Sequence, residues 1–211
     1  MDAEVFRAWI VSAAGVIEAN RDHLTQLDAA IGDADHGINL ARGFTAVLGA
    51  LDAADAEATP GAILTVTGNT LISKVGGASG PLYGMAFRRA GQALGDAADV
   101  DLPGLSAALD AALAGVQKLG AAREGDKTMV DALAAATRAF SKAIAEGAAP
   151  DDALASLAEA AAAGAAATVS MQALKGRASY LGPRSVGHED PGAVSTALIL
   201  GALRDAARAG R

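Results

Sequence analysis

Apolar side chains recur along most of this chain at the spacing of one face of an α-helix. Near the N-terminus, Val5, Trp9 and Ile10 begin a run of apolar residues at intervals of three and four positions. Leu105 and Leu109 begin a second run of the same kind. Stretches in which polar residues alternate with β-branched or aromatic ones are scarce. The pattern therefore predicts an all-α fold.

Proline falls in the first turn of four predicted helices, where its missing N–H breaks no helical hydrogen bond. These starts are Thr59–Pro60, Asp101–Pro103, Pro150–Asp151 and Pro191. Further helices at the N-terminus and near 37–51, 81–95 and 127–146 bring the count to about eight. Short connections favour antiparallel neighbours, so we expect a closed barrel or bundle of about eight antiparallel helices. We expect it to form a single domain over residues 1–211.

Four of the predicted loops are rich in glycine and polar residues, at 22–36, 75–81, 119–127 and 174–191. The other loops, such as 96–102 and 147–150, have the composition of plain connectors. The four unusual loops are alternate loops, and alternate loops of an up-and-down helical array lie at the same end. We therefore predict one functional site, formed by loops at one end of the barrel.

Three aspartates crowd the first of these loops. Asp28, Asp33 and Asp35 fall within a few residues of one another in a chain with few charges. Clustered carboxylates are hard ligands that favour Mg²⁺ or Ca²⁺, while zinc is disfavoured because the chain has no cysteine and few histidines. A solvated turn is the structural alternative. Metal ligation is the favoured interpretation, and such ions most often serve a phosphate substrate.

The other loops carry residues suited to binding phosphate. Gly76–Pro81 offers backbone N–H groups at a helix start, although a tight turn would use the same residues. Lys127 could neutralise a phosphate, and Arg177 could clamp one, unless it forms only a surface ion pair. Met129 suits packing against a base but is equally suited to the core.

Three further positions are candidate site residues with structural alternatives. Asp190 could bind a ribose hydroxyl or simply cap the last helix. His36 and His188 adjoin the unusual loops and are candidate site residues, whereas His23 has no such neighbours.

The overall composition limits the classes of partner. The chain has 211 residues, a net charge of -7 and a pI near 4.9, which disfavours a nucleic-acid partner. Its mean hydropathy of +0.28 comes largely from alanine, and we expect no membrane-spanning segment and no secretory leader. The chain has no cysteine and so no disulfide. We expect a cytoplasmic protein.

Together these motifs resemble the nucleotide-binding L subunits (DhaL) of bacterial dihydroxyacetone kinases, the DAK L domain family. The likeness extends from near the start of the chain to near its end, and the set of motifs in this order is specific. The matching stretches are LDAAIGDADHG at 27–37, GGASGP at 76–81, GDKTM at 125–129, GRASYLG at 176–182 and GHEDPG at 187–192.

The resemblance implies a barrel of antiparallel helices with ADP or ATP bound at one end. It implies that Asp28, Asp33 and Asp35 hold a pair of Mg²⁺ ions that bridge the phosphates. The catalytic candidates are Arg177 and Lys127, which would neutralise charge on the transferred group. The nucleotide contacts that it implies are His36, Gly37, Ile38, Asn39, Ala78, Ser79, Gly120, Met129, Arg177, Asp190 and Pro191.

The resemblance also implies partners. Bound ADP would be phosphorylated by a phosphohistidine on the M subunit of a phosphotransferase system (PTS), and the phosphoryl group passed to dihydroxyacetone on a K subunit. The alternative is an L subunit that uses free ATP, for dihydroxyacetone or another small ketose or tetrose. A phosphohistidine carrier using His36 or His188, and a regulatory module that senses nucleotide, are further hypotheses. A homodimer is left open.

Overall fold

The computed structural model describes residues 1–54 and 58–210. Within these residues the secondary structure is entirely helical, as the apolar spacing predicted. Two 3₁₀ segments, Thr168–Ser170 and Arg177–Ser185, lie between the last two α-helices. The α-helices are α1 (Ala3–Ala19), α2 (Arg21–Ile31), α3 (His36–Asp52), α4 (Pro60–Lys74), α5 (Ser79–Leu94), α6 (Leu102–Gly120), α7 (Met129–Ala145), α8 (Pro150–Ala167) and α9 (Pro191–Ala209).

Eight of these helices close into a ring. From α3 to α9, each helix packs against the next one in the chain, and α1 fills the gap by packing against both α9 and α3. The barrel of about eight helices predicted from the sequence is confirmed, and it encloses one continuous apolar core.

Aromatic rings fill the centre of this core. Trp9 and Phe44 both pack against Phe87, with ring centroids 5.7 and 6.3 Å away. The indole Nε1 of Trp9 donates to the carbonyl of Ile199 at 2.9 Å, which satisfies its one polar atom. Helices distant in the chain are thereby locked together around the barrel axis.

The helix starts follow the local signals read from the sequence. Thr59 accepts a hydrogen bond from the N–H of Ala62 at 3.3 Å, and Asp101 accepts one from Gly104 at 2.7 Å. Each cap satisfies an N–H that has no partner within its helix. The predicted starts at Pro60, Pro150 and Pro191 are confirmed.

One prediction was wrong. The segment 22–36 was expected to be a loop, but α2 occupies Arg21–Ile31 and only a short turn remains before α3. Leu24, Asp28 and Ile31 lie on the buried side of α2, with Leu24 in the main core. The apolar residues of α2 are few, and the glycine and aspartates at its end are typical of a loop. The helical periodicity was therefore not recognised in the sequence.

By length and composition alone, one helix among the described residues could cross a membrane. Pro150–Ser170 has a window of mean hydropathy 1.3. This is a weak indicator, because a core helix has the same composition, and α8 packs against α7 and α9 with Leu154 and Leu157 buried.

Candidate functional site

The four unusual loops meet around one cavity of about 280 Å³ at one end of the barrel. The first turns of α3, α5, α7 and α9 all border it, so the positive dipole ends of four helices converge there. The predicted convergence of the four loops at one end of the barrel is thus confirmed. Its polar lining is Asp28, Asp33, Asp35, His36, Ser79, Tyr83, Lys127, Thr128, Lys175, Arg177 and Asp190.

Asp28, Asp33 and Asp35 come together at this cavity. Each offers one carboxylate oxygen, and the three oxygens lie within 4.8 Å of one another. Ala34 between them has φ +61°, a conformation that costs energy for a residue with a Cβ and that folds the turn back on itself. Asp28 is buried at the end of α2, whereas Asp33 is exposed.

Asp28 also shapes the turn. Its Oδ2 accepts hydrogen bonds from the N–H groups of Asp35 at 2.8 Å and His36 at 3.1 Å. Asp28 thereby pairs N–H groups at the start of α3 that have no partner within that helix. The oxygen donors of the three aspartates fit a hard divalent cation such as Mg²⁺.

Arg177 reaches this acidic group from the α8–α9 loop. Its Nη2 lies 3.1 Å from Oδ2 of Asp33, and both side chains are substantially exposed. The segment that carries Arg177 is held on α2 by a small apolar cluster of Ile31, Ala173 and Ala178. The structure therefore brings the predicted phosphate clamp and the predicted metal ligands into direct contact.

Lys127 lines the cavity, and backbone carbonyls engage its ammonium group. It is 1% exposed, and its ammonium donates to the carbonyls of Thr168, at 2.5 Å, and His188. Burial lowers the pKa of Lys127, and the nearby carboxylates of Asp190 and Asp131 oppose that shift. Its described hydrogen bonds thus tie the α6–α7 loop to both ends of the α8–α9 loop.

The start of α7 is a capping box. The hydroxyl of Thr128 accepts from the N–H of Val130 at 3.1 Å, and Asp131 accepts from the N–H of Thr128 at 2.7 Å. The next residue, Met129, is 5% exposed, belongs to the core cluster and also lines the cavity. The position of Met129 is thus compatible both with packing in the core and with packing against a base.

Asp190 caps α9. Its Oδ2 accepts from the N–H of Ala193 at 2.8 Å, and its own N–H donates to the hydroxyl of Thr168 at 2.9 Å. Burial raises the pKa of Asp190 to about 7, although the Ala193 hydrogen bond and the Lys127 ammonium both favour the ionised form.

His36 lines the cavity beside Asp35, and its Nε2 lies 2.9 Å from Oγ of Ser195. Burial lowers the pKa of His36, against the opposing charges of Asp28 and Asp35. Tyr83, whose hydroxyl lies 2.7 Å from Oγ of Ser195, also lines the cavity. Burial raises the pKa of Tyr83, which keeps its hydroxyl protonated.

The remaining candidates divide into two groups. Ala78, Ser79, Gly120 and Pro191 line the cavity, whereas Gly37, Ile38 and Asn39 lie beside it in the first turn of α3. Ile38 is 51% exposed, while Asn39 is buried and accepts from Arg42 at 2.9 Å. Gly37 packs so closely on α2 that an added Cβ would come 2.0 Å from the carbonyl of Arg21.

Sequence reasoning missed Tyr83 and Ser195. Both occupy buried positions of predicted helices a few residues after named motifs. A polar residue on the apolar face of a helix needs a hydrogen-bond partner, and that was the available signal. His188 was a candidate through its side chain, but it is exposed, and its backbone carbonyl makes the contact described above.

Comparisons with known proteins place this chain in a family. A model of the DAK2 domain matches residues 30–205. Over 200 residues the chain is 41% identical to the Escherichia coli (strain K12) protein named PEP-dependent dihydroxyacetone kinase, ADP-binding subunit DhaL, with 95% of each chain covered. Over 182 residues it is 40% identical to the triokinase/FMN cyclase of Rattus norvegicus, covering 86% of this chain and 31% of that protein.

The fold has a solved counterpart. The crystal structure of the dihydroxyacetone kinase from C. freundii in complex with AMP-PNP and Mg²⁺ superposes with a TM-score of 0.70 at 29% identity. The match covers 94% of this chain and 33% of that one, so the chain spans about a third of that protein's length.

Proposed function

The chain belongs to the DAK2 domain family, and from this membership we propose that it is the nucleotide-binding phosphotransferase subunit of a dihydroxyacetone kinase. The observation that supports this most directly is the convergence of three carboxylates, one guanidinium and four helix N-termini on one cavity. That combination suits a metal-bound di- or triphosphate. We propose that residues 1–211 form one functional unit.

ADP or ATP would occupy the cavity with its phosphates toward the acidic turn. The backbone N–H groups near Ala78 and Ser79 begin α5 and would face a phosphate. Gly120, Met129 and Pro191 line the cavity and would contact the rest of the nucleotide. His36 lies on the same wall, while Gly37, Ile38 and Asn39 would contribute through the first turn of α3.

Asp28, Asp33 and Asp35 would hold Mg²⁺, and we propose two ions. The bound cations would supply charge neutralisation on the phosphate oxygens. Arg177 already lies at Asp33, so a short movement of its guanidinium would place it against the transferred phosphoryl group. Lys127 was also a catalytic candidate, and its buried ammonium would act instead by holding the loops that shape the cavity.

The donor is proposed to be a phosphohistidine on a PTS M subunit, because the bacterial relative is named PEP-dependent and ADP-binding. ADP would then remain bound as a cofactor between turnovers. The rat relative, a triokinase/FMN cyclase, supports the second candidate, a subunit that uses free ATP for dihydroxyacetone or another small ketose or tetrose.

The acceptor is proposed to lie on a K subunit that docks at the cavity mouth. Among the residues that the structure describes, seven of the eight exposed large apolar side chains belong to segments at that end of the barrel. Such a concentration of exposed apolar side chains is typical of a protein interface. We call it the apolar rim, and it consists of Ile38, Ile72, Leu119, Val169, Leu174, Tyr180 and Val186.

The rim residue with the largest exposed fraction is Tyr180, at 89%, in the same 3₁₀ segment as Arg177. A K subunit that covered the rim would exclude water from the phosphoryl group during transfer. We further propose that the protein acts in the cytoplasm, where the PTS partner would be found.

Nucleotide exchange tests this function. The purified chain is loaded with ADP in Mg²⁺, and the rate at which ADP dissociates is measured. Slow release together with phosphorylation of bound ADP by a phosphorylated M subunit supports the PTS-linked form. Fast release with turnover on free ATP supports the second candidate.

Two other results would contradict both forms. Acid-labile phosphate on His36 or His188 without nucleotide would indicate a phosphohistidine carrier. Nucleotide binding without transfer to any K subunit would indicate a regulatory module.

A further inference from the structure

A chain of hydrogen bonds runs beneath the cavity from α3 through α9 to α5. Nε2 of His36 lies 2.9 Å from Oγ of Ser195, and that oxygen lies 2.7 Å from the hydroxyl of Tyr83. The Tyr83 hydroxyl also donates to the carbonyl of Gly192 at 2.8 Å. Three helices that contribute to the cavity wall thus meet through side-chain oxygens and one imidazole.

Ser195 is the central member of this chain. It is fully buried, and its hydroxyl also lies 2.9 Å from the carbonyl of Pro191 in the preceding turn. Tyr83 is 3% exposed, so neither hydroxyl exchanges its partners freely with water. A buried polar chain of this kind fixes the orientation of each member.

The imidazole of His36 has one free nitrogen. Its hydrogen bonds among the described residues involve Nε2, and every buried side-chain nitrogen or oxygen of those residues has a partner. Nδ1 is therefore not fully buried, and His36 forms part of the cavity lining. His36 does not belong to the acidic group whose donor atoms lie within 4.8 Å of one another. Its free nitrogen is thus available to a ligand in the cavity.

We propose that Ser195 is a positioning residue, supported by Tyr83, which holds the ring of His36 so that Nδ1 faces the bound nucleotide. The proposal builds on the proposed function, because it takes a magnesium nucleotide as the ligand. Rotation of the imidazole about its bond to Cβ would move Nδ1 away from the cavity. The hydrogen bond at Nε2 prevents that rotation.

Thr196 provides a matched control. Its hydroxyl makes the same kind of bond to the preceding turn, donating to Gly192 at 2.8 Å, and it also lies 2.8 Å from the hydroxyl of Tyr83. Unlike Ser195, it has no contact with His36 among its hydrogen bonds. Replacing Thr196 by valine keeps its shape and removes a similarly buried hydroxyl that contacts Tyr83 but not the imidazole.

The first experiment needs no nucleotide. The ¹⁵N and ¹H resonances of the His36 imidazole are recorded by NMR in the wild type, Ser195→Ala and Thr196→Val. We expect Ser195→Ala to change the Nε2 resonance and to broaden the ring signals, and Thr196→Val to leave them in place. Unchanged His36 signals in Ser195→Ala, with the fold intact by circular dichroism, would overturn the proposal.

The second experiment is a double-mutant cycle on affinity for Mg·ADP. Ser195→Ala alone should weaken binding about five- to tenfold, the effect of one lost hydrogen bond. In a His36→Ala background it should have no further effect, because its role passes through that ring. Equal effects of Ser195→Ala in both backgrounds would show a merely structural role. If the wild type itself fails to bind Mg·ADP, the proposed function fails, while the NMR comparison still tests the role of Ser195.

Discussion

The guanidinium Nη2 of Arg177 lies 3.1 Å from the carboxylate Oδ2 of Asp33. The pair joins the α8–α9 loop to the turn before α3 across the mouth of the cavity. Because both side chains are solvent-exposed, the ion pair itself adds little stability. The pair matters for ligand binding. A cation bound at Asp33 would compete with Arg177 for the carboxylate, and a nearby phosphate would compete with Asp33 for the guanidinium.

Arg177→Gln tests the clamp role. We expect phosphoryl transfer to fall by about tenfold to a hundredfold, because a charge-assisted contact to phosphate is lost. Thermal stability without nucleotide should stay close to wild type. Arg184→Gln changes an exposed arginine of the same segment and should retain activity. Equal activity of the two variants would argue against the clamp.

Lys127→Met distinguishes a structural role of Lys127 from a catalytic role. Two carbonyl oxygens lose a charged donor, so we expect a loss of about 2–4 kcal/mol in the free energy of unfolding. Lys118→Met, at an exposed position, serves as the control and should remain near wild type. A stable Lys127→Met protein that lacks only phosphoryl transfer would instead support direct contact with phosphate.

Tyr180→Ala tests the apolar rim. We expect the affinity for the K subunit to fall about tenfold, because exposed aromatic residues often dominate interfaces. Affinity for Mg·ADP and thermal stability should not change, since Tyr180 is 89% exposed. Val11→Ala removes an exposed apolar side chain on α1, outside the rim, and is the control. If both variants bind the K subunit like the wild type, the rim is not the docking surface.

Asp190→Asn tests a dependence of stability on pH. Between the ordinary pKa of 3.8 and about 7, folded Asp190 binds more protons than it does in the unfolded chain. Its contribution to stability therefore falls as pH rises through this range. Asparagine keeps the cap without titrating, so its stability relative to wild type should rise by more than about 1 kcal/mol between pH 4 and pH 8. Urea unfolding at both pH values measures this, and a pH-independent difference would contradict it.

The parts of the fold that could be predicted are those set by local chemistry. Prolines in first turns and capping residues located the helix starts, because these signals act within a few residues. The convergence of four loops followed from alternation along an antiparallel array. Asp28 and Asp35 meet because the intervening turn is short, so their association was accessible from spacing alone.

The features that were missed depend on contacts between distant segments. The ammonium of Lys127 meets carbonyls of Thr168 and His188, and no local pattern shows where those carbonyls lie. The contact between His36 and Ser195 likewise requires the first turns of α3 and α9, two helices that α1 separates in the ring, to meet at the cavity. The helix α2 was hidden for a different reason, since its few apolar residues precede a conspicuous turn.

Titration of ADP into the wild type and Asp33→Asn, with and without Mg²⁺, by isothermal calorimetry tests the central claim most directly. We predict that Mg²⁺ tightens ADP binding to the wild type and to Asp96→Asn, a control at the opposite end of the barrel. In Asp33→Asn the effect of Mg²⁺ should largely disappear. An undiminished effect of Mg²⁺ in Asp33→Asn would contradict the assignment of this acidic turn as the metal site.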